Sequence, residues 1–467
     1  MRPYGARMNV RRFSLARPAR LRCRAIATAL LLVAFTPAHA QTPPGHAGHA
    51  GQAGQAGHAE QAGHAQRGEH AEHTATSPAH SMDFAGVPDS RESSGTAWQP
   101  DATPMHAHHA RWGDWSLMTH YNAFLAYDDQ SGPRGDEQFN SVNWLMLMGT
   151  RQTGHDKLTL RTMLSLEPWT TTARGYPLLF QSGEAYHGEP LIDRQHPHDL
   201  FMELAALYRR EVAPDTAISV YVAPAGEPAL GPPAFPHRMS AMENPAAPIS
   251  HHWIDSSHIS FGVLTAGIAR GPWQIEGSWF NGREPDEDRW DIEKPNLDSH
   301  SGRLSWNPSA AWSLQVSHGY LDSPEELHPE EHLRRTTASV MNLHKLGNGR
   351  HLATTLAWGR NDHGHQPTDA FLLETAYMAA PYSIFARAEH VEKTGEELAV
   401  LPDDRIIRVR QLSAGFTREI VSGRPYQLAL GASATYSIVP DDLDAIYGKN
   451  PIGFWIFLRL RPAAMSH

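Results

Sequence analysis

The chain has 467 residues, with 40 lysines and arginines against 50 aspartates and glutamates, 30 histidines and a single cysteine. Eight of the arginines lie in residues 1–40, which contain no acid, so the rest of the chain holds 32 basic and 50 acidic residues, a balance of −18. Such acidity disfavours polyanions, and we expect no nucleic-acid partner. Because Cys23 also lies in residues 1–40, the remainder can form neither a disulfide nor a thiolate metal site.

Residues 1–40 have the layout of an export signal. A basic stretch is followed by the apolar run from Ala25 to Phe35 and then by Ala38-His39-Ala40, an A-x-A cleavage site. This order favours a signal peptide over a membrane span, so we predict that the mature chain begins at Gln41.

Residues 41–110 are rich in histidine, alanine and glycine and have almost no branched aliphatic residues. Such a segment cannot bury enough surface to offset its ordering entropy, and we predict a disordered tail. Neutral imidazoles on a flexible tether can close on Cu²⁺, Ni²⁺ or Zn²⁺ in several combinations, although the tail could equally be a spacer. The candidate ligands in the tail are His46, His49, His58, His64, His70, His73, His80, Met105, His106, His108 and His109.

After residue 110 the hydrophobic pattern changes to a period of two. In KLTLRTMLSLEP (157–168), Leu158, Leu160 and Leu164 fall on one face while Lys157 and Thr159 fall on the other. This alternation predicts a strand with one apolar and one polar side. Residues 199–212 also contain helix-favouring residues, but they alternate in the same way and are predicted as a strand. The sixteen predicted strands are 113–127, 138–152, 157–168, 199–211, 215–224, 257–269, 272–281, 299–307, 310–321, 334–346, 350–360, 368–379, 382–392, 406–419, 424–437 and 452–461.

The connections between these strands alternate between short turns and longer loops, and both chain ends fall on the short-turn side. This connectivity is typical of a transmembrane antiparallel β-barrel. We therefore predict an all-β fold, a barrel of about 16 strands (about 14–18) over residues 111–461, followed by a C-terminal tail at 462–467. Tyr426 and Tyr436, ten residues apart on one face, would mark the two edges of the apolar band.

The final segment GFWIFLRLRP (453–462) resembles the terminal strand of Gram-negative outer-membrane barrels. It departs from the usual form because the six residues from Pro462 to His467 stand where such a chain would end on an aromatic residue. With the signal peptide and the loop pattern, residues 111–461 are similar to an outer-membrane barrel of porin size. The histidine-rich leader is similar in composition and layout to that of outer-membrane proteins of copper-resistance systems, including the copper resistance protein B family. These resemblances imply a location in the outer membrane of a Gram-negative bacterium, with the tail in the periplasm. They imply as partners membrane lipid, transition-metal ions and a periplasmic efflux or metal-handling protein.

The polar faces of the strands would line the barrel lumen. Charges of both signs on these faces predict internal ion pairs that hold a packed or narrow lumen, or else a dedicated path for a substrate. The predicted lumen residues are Lys157, Arg161, Glu167, Glu203, Glu276, Arg303, Glu374, Arg387, Glu389, Arg408, Arg410, Arg459 and Arg461.

Two long loops, 170–198 and 225–256, combine histidines with carboxylates, and the second is stiffened by many prolines. Loops of this length are uncommon unless they are functional, and one could fold into the barrel mouth. Imidazole and carboxylate groups suit Zn²⁺ or Cu²⁺, so the loops could share a metal site. Its candidate ligands are His196, His198, His237, His251 and His252.

His328-Pro-Glu-Glu-His332 fits the H-x-x-E-H pattern of a zinc peptidase. That chemistry requires both histidines on one stable helix, whereas Pro329 lies in a short acidic loop, so we predict that the protein is not an enzyme. The sequence favours transport or resistance for a transition metal, copper or else zinc or nickel, with no obligatory cofactor. The alternatives are a general porin or adhesion-type barrel with the tail as a spacer, and a barrel-embedded hydrolase.

Overall fold

The computed structural model describes residues 83–364 and 366–464. The predicted signal peptide, tail residues 41–82 and residues 465–467 lie outside the described residues. The same holds for the seven tail histidines His46, His49, His58, His64, His70, His73 and His80. In the part that is described, no helix is long and apolar enough to cross a membrane.

The described residues form 22 strands and several short helical turns. Sixteen long strands build the barrel: β2 (Trp115–Gln130), β4 (Asn143–Thr153), β5 (Asp156–Leu164), β10 (Phe201–Ala213), β11 (Thr216–Gly226), β12 (Ser260–Arg270), β13 (Trp273–Phe280), β14 (Ser299–Ser309), β15 (Trp312–Asp322), β16 (His332–Gly347), β17 (Arg350–Asp362), β18 (Thr368–Ala379), β19 (Tyr382–Thr394), β20 (Ile406–Val421), β21 (Tyr426–Ile438) and β22 (Ile452–Pro462). The short strands are β1 (His108–Trp112), β3 (Glu137–Asn140), β6 (Tyr176–Pro177), β7 (Glu184–Tyr186), β8 (Glu189–Leu191) and β9 (Arg194–Gln195). The α-helices are α1 (Glu167–Thr170), α2 (His251–Ile254) and α3 (Asp444–Tyr447), and 3₁₀ turns occupy Asp89–Arg91, Phe235–His237, Ser256–His258 and Asp441–Leu443.

The sixteen long strands close into an antiparallel barrel. Each pairs with its neighbours along the chain, and β22 pairs with β2 from Leu460 opposite Ala123 to Gly453 opposite Gln130. Closure leaves no free sheet edge, which is the condition for strands that cross a bilayer. The predicted all-β barrel of sixteen strands is confirmed, including the strand that begins at Phe201.

The strand faces follow the predicted alternation. In β5, Leu160 is 45% exposed on the outer surface while the neighbouring Thr159 is only 2% exposed on the inner one. Tyr426 and Tyr436 lie on the outer face near opposite ends of β21. An apolar outer band bordered by aromatic rings is the surface that a bilayer requires.

The prediction that Arg408 and Arg410 line the lumen is wrong. On β20 the apolar Leu412 and Phe416 face outward, and the period of two places both arginines on that same outer face. They lie at the loop end of the strand, where Arg408 Nε donates to Glu392 Oε1 at 3.1 Å. Their charge therefore remains at the rim of the barrel instead of entering the lumen.

The predicted boundary of the tail at residue 110 is also wrong. Residues 83–107, here named the N-terminal plug, lie inside the barrel with Phe84, Val87 and Trp98 buried, and β1 then pairs with β2. The plug has too few apolar residues for a core of its own. It is ordered because the barrel wall supplies partners, among them Lys157, whose Nζ donates to Asp89 Oδ1 at 2.6 Å.

The loop between β11 and β12 folds inward and fills the centre of the barrel. Every residue of 227–259, here named the inserted loop, is buried. Gly359 on the wall permits this close approach, because a Cβ there would lie 2.2 Å from the carbonyl oxygen of Trp253. Much of 165–200 is buried against it, including Tyr176, Leu178 and Phe180. The lumen is consequently filled with protein.

Candidate functional site in the barrel lumen

The filled lumen is held together by buried ion pairs, as the mixed charges predicted. Glu243 of the inserted loop accepts hydrogen bonds from Arg459 and, at 2.8 Å, from Arg461. Arg238 of the same loop pairs with Asp255 and with Glu374, at 2.9 Å from Glu374. Eleven of the thirteen predicted lumen residues are buried, and these are Lys157, Arg161, Glu167, Glu203, Glu276, Arg303, Glu374, Arg387, Glu389, Arg459 and Arg461.

At the long-loop end the lumen opens into an acidic cavity of about 440 Å³, here named the vestibule. Its carboxylates come from several loops, and burial together with neighbouring Glu397 and Glu284 raises the pKa of Glu325 to about 8. Glu325 is therefore uncharged at pH 7, and the remaining carboxylates of the vestibule attract cations. The acidic residues in the lining are Glu184, Glu284, Glu325, Glu326, Glu331, Glu396, Glu397, Asp403 and Asp404.

Beneath the vestibule lies the histidine cluster, formed by His196, His198, His251, His252 and His258. Ring centroids are 5.4 Å apart for His251 and His252, 5.0 Å for His251 and His258, and 5.3 Å for His198 and His258. His196 lies 6.4 Å from His252. The structure therefore brings together four of the five loop histidines proposed as ligands, and adds His258.

Three of the five cluster histidines are held through one ring nitrogen, and their other nitrogen has no partner among the described residues. Nδ1 of His198 lies 3.0 Å from Glu167, Nδ1 of His252 lies 3.3 Å from Glu284, and Nδ1 of His258 lies 2.9 Å from the carbonyl oxygen of Asp255. The Nε2 atoms of the same three rings are buried and have no hydrogen-bond partner among the described residues.

A carboxylate or carbonyl on one nitrogen and a free lone pair on the other is the arrangement of metal-ligating histidines. Burial lowers the pKa of His251 to about 4, against the opposing charge of Asp255, and holds the pKa of His258 well below its usual value. Both rings are therefore neutral at pH 7, which is the protonation state that binds metals.

The cluster is nevertheless not a closed metal cage. Within residues 83–364 and 366–464, no three histidine, cysteine, aspartate or glutamate side chains converge as a ligand set. The imidazoles contact one another in a closed circuit, because His196 also lies 6.2 Å from His198. Gly183 packs directly against this circuit, since a Cβ there would lie 2.6 Å from His252 Nδ1.

A second cavity, nearer the short-turn end, is lined by methionine and histidine side chains and is here named the methionine chamber. It consists of a void of about 110 Å³ and an adjoining one of about 10 Å³, which share Met146 and His237. His237 Nε2 lies 3.3 Å from Met163 Sδ, and the His120 ring lies 6.3 Å from that of His237. The lining includes Met105, Met118, Met146, Met148, Met163, Met202, Met239, Met242, His106, His109, His120 and His237.

The methionine chamber combines side chains from the N-terminal plug, the barrel wall and the inserted loop. Met105, His106 and His109 were proposed as ligands of a flexible tail, but the structure places them in this lining. His237 lies here too, and not with the other loop histidines. His108 lies apart on β1, with Nε2 at 3.5 Å from the Tyr121 hydroxyl.

The two histidine-bearing regions meet at one point. His258 of the cluster and His237 of the chamber line the same small void, while His252 of the cluster also borders the vestibule. Imidazole and thioether groups therefore follow one another from the vestibule to the N-terminal plug.

The H-x-x-E-H segment does not form a peptidase site. Residues 323–331 are turns, and His332 begins β16. His332 Nδ1 lies 2.7 Å from Asp322, whereas His328 Nδ1 lies 3.9 Å from Glu331. The shared helix that this chemistry requires is absent from this segment.

No family model and no curated protein matches the chain. Similar solved structures include an anion-selective porin from Comamonas acidovorans, with 8% identity, coverage of 74% of this chain and 99% of that chain, and a TM-score of 0.47. OmpF of Salmonella typhi in complex with daunomycin has 9% identity, coverage of 76% and 100%, and a TM-score of 0.47. OmpT, an outer membrane protein of Vibrio cholerae, has 8% identity, coverage of 76% and 100%, and a TM-score of 0.42. The barrel fold of this chain is established by its own strand pairing, which closes β22 onto β2.

Proposed function

We propose that the protein is an outer-membrane barrel that conducts transition-metal ions, copper or else zinc or nickel, through its filled lumen. The observation that carries this proposal is the succession of acidic vestibule, histidine cluster and methionine chamber. These regions supply metal-binding side chains along a lumen whose remaining interior is occupied by ion pairs and apolar contacts.

The proposed location rests on the outer surface and on the expected export signal. The apolar band contacts lipid, and the short turns face the periplasm together with the N-terminal plug and the tail that precedes it. The tail histidines would then gather ions at the periplasmic end, where a metal-handling protein could exchange them.

The side chains favour passage over storage. A channel must bind an ion well enough to admit it and weakly enough to release it, and sites in series meet both conditions. The vestibule attracts cations, and the Nε2 atoms of His198, His252 and His258 are buried without a hydrogen-bond partner among the described residues. Because no described set of three nitrogen or oxygen ligands encloses a point, no single site there retains the ion.

A general porin with the tail as a spacer is the second candidate, and the closed barrel of sixteen strands favours it, because porins of this size enclose an aqueous channel. The two functions differ in what should cross. A general porin passes small neutral solutes at rates set by their size, whereas the filled lumen should pass metal ions and exclude sugars.

The test is a flux measurement on the full chain reconstituted in liposomes, with Cu²⁺, Zn²⁺ and Ni²⁺ detected by an encapsulated dye and arabinose entry followed by liposome swelling. We expect metal entry without arabinose entry. The double variant His251→Ala/His258→Ala should lower metal flux at least tenfold. The control His300→Ala, whose ring lies beside Tyr320 on the outer face, should leave it unchanged. Arabinose entry, or equal metal flux in both variants, would overturn the proposal.

A further inference from the structure

We infer that the methionine chamber is a binding site selective for soft monovalent cations, with Cu⁺ as the natural ion and Ag⁺ as its laboratory probe. This inference deepens the proposed function and rests on it, because it names which ion the path would select. The lining residues are those defined above.

The first observation is the concentration of thioethers. Of the 14 methionines in the chain, eight line this one cavity. Methionine often fills irregular core gaps, and Met146, Met163 and Met202 do pack with Trp144. Gap filling does not require histidines, however, whereas this cavity also gathers five of them. Thioether sulfur is a soft ligand that selects Cu⁺ over harder divalent ions, and imidazole suits copper as well.

The second observation is the distance between donor atoms. Two donors on one tetrahedral ion, with a metal–nitrogen bond of about 2.0 Å and a metal–sulfur bond of about 2.3 Å, are about 3.5 Å apart. His237 Nε2 and Met163 Sδ are 3.3 Å apart. A small rearrangement of these two side chains therefore suffices to admit an ion between them, and Met146 lines the same void.

The third observation concerns charge. Four carboxylates border the methionine chamber, Asp89, Glu92, Glu203 and Glu227. Basic side chains engage three of them: Asp89 accepts from Lys157 at 2.6 Å, Glu92 accepts from Arg209 and from Lys157, the latter at 3.3 Å, and Glu203 lies 3.2 Å from Arg161. Of the four, only Glu227 has a buried carboxylate oxygen without a partner among the described residues. A hard divalent ion would need several free oxygen ligands, whereas a soft monovalent ion needs only the sulfur and nitrogen donors.

The test is equilibrium binding of Ag⁺ and of ascorbate-reduced Cu⁺ to the purified full chain, combined with X-ray absorption at the metal edge. Tail residues 41–82 contain seven histidines and a single methionine, Met82, so two or more sulfur neighbours per metal ion distinguish the chamber from the tail. We expect sulfur in the first shell at one equivalent of metal and no displacement by equimolar Zn²⁺.

The discriminating variants replace methionine by leucine, which has a similar volume and is tolerated in cores. Met146→Leu/Met163→Leu should weaken Ag⁺ binding at least tenfold and remove the sulfur signal. The control is Met378→Leu, because Met378 Sδ lies 3.0 Å from His351 Nε2 but borders neither void of the chamber. It should leave both readouts unchanged.

A wild-type spectrum with nitrogen neighbours alone would overturn the inference without requiring any variant, as would loss of the sulfur signal in Met378→Leu alone. The outcome is separable from that of the proposed function. Sulfur coordination without metal flux would leave the site standing and defeat the conduction proposal. Metal flux without sulfur coordination would do the reverse.

Discussion

Glu243 pairs the inserted loop with the barrel wall, so removing its charge tests whether this loop fills the lumen. Its carboxylate accepts hydrogen bonds from Arg459, from Arg461 at 2.8 Å and from Thr417 at 2.9 Å. Both Glu243 and Arg459 are completely buried. The substitution Glu243→Gln keeps the shape of the side chain but leaves two guanidinium groups without a counter-charge.

Loss of one partner from a buried pair costs about 3–5 kcal/mol, because the remaining charge stays desolvated. Few other hydrogen bonds stabilise the buried Arg459, since its Nε and Nη2 atoms have no hydrogen-bond partner among the described residues. We therefore expect Glu243→Gln to lower the free energy of unfolding by about 3–5 kcal/mol. The assay is urea unfolding in detergent micelles, followed by tryptophan fluorescence.

The matched control is Glu330→Gln in the exposed loop before β16, which should change the free energy of unfolding by less than about 0.5 kcal/mol. Adding Arg459→Met to Glu243→Gln should recover part of the loss, because it removes an unpaired charge. If Glu243→Gln and Glu330→Gln unfold alike, the inserted loop does not occupy the lumen as described.

The same carboxylate predicts how stability varies with pH. Burial alone would raise the pKa of Glu243, but Arg459 and Arg461 outweigh it and hold the pKa at about 2. A carboxyl group whose pKa is lower in the folded chain than in the unfolded chain stabilises the fold. This stabilisation is complete above the unfolded pKa of about 4.3 and is lost as the pH falls through the folded pKa. The loss of unfolding free energy caused by Glu243→Gln should therefore be constant at neutral pH and decrease between about pH 4 and pH 2.

Three further predictions follow from the faces, the loops and the tail. Leu160→Arg should cost about 2–4 kcal/mol on the lipid face. Thr159→Arg should also destabilise because that site is 2% exposed, so good tolerance of Thr159→Arg in the same unfolding assay would indicate an open lumen. An epitope tag at Glu330 should be accessible on intact cells, whereas tags at Gly349 in a short turn and at the buried Gly231 should not, and surface labelling of Gly231 would contradict the inserted loop. A peptide of residues 41–80 should bind several Cu²⁺ or Ni²⁺ ions at pH 7.5 and lose them below the histidine pKa of about 6.5. Calorimetric heats equal to those of a variant with all seven histidines changed to glutamine would leave the tail a spacer.

The sequence by itself determined the barrel, because the alternation of faces along a strand is a local property. The register of β5 and of β22 follows from apolar residues two positions apart, and the same period predicts which charges enter the lumen. The predicted inward orientation of Arg408 and Arg410 was wrong, because the period of two places both on the outer face with Leu412. The alternation of short turns and long loops likewise needs no tertiary information, because the length of each connection is the number of residues between two consecutive predicted strands.

Only the tertiary structure decided what fills the barrel. The N-terminal plug has no apolar period, and it becomes ordered through partners such as Lys157 and Arg303, which lie far along the chain. The histidine cluster was partly foreseeable, since its loops carry several imidazoles. The methionine chamber was not, because a single methionine on a strand is indistinguishable from an ordinary core residue. Its lining residues come from the N-terminal plug, the barrel wall and the inserted loop, and which of their side chains meet is fixed by how these parts fold inside the closed barrel.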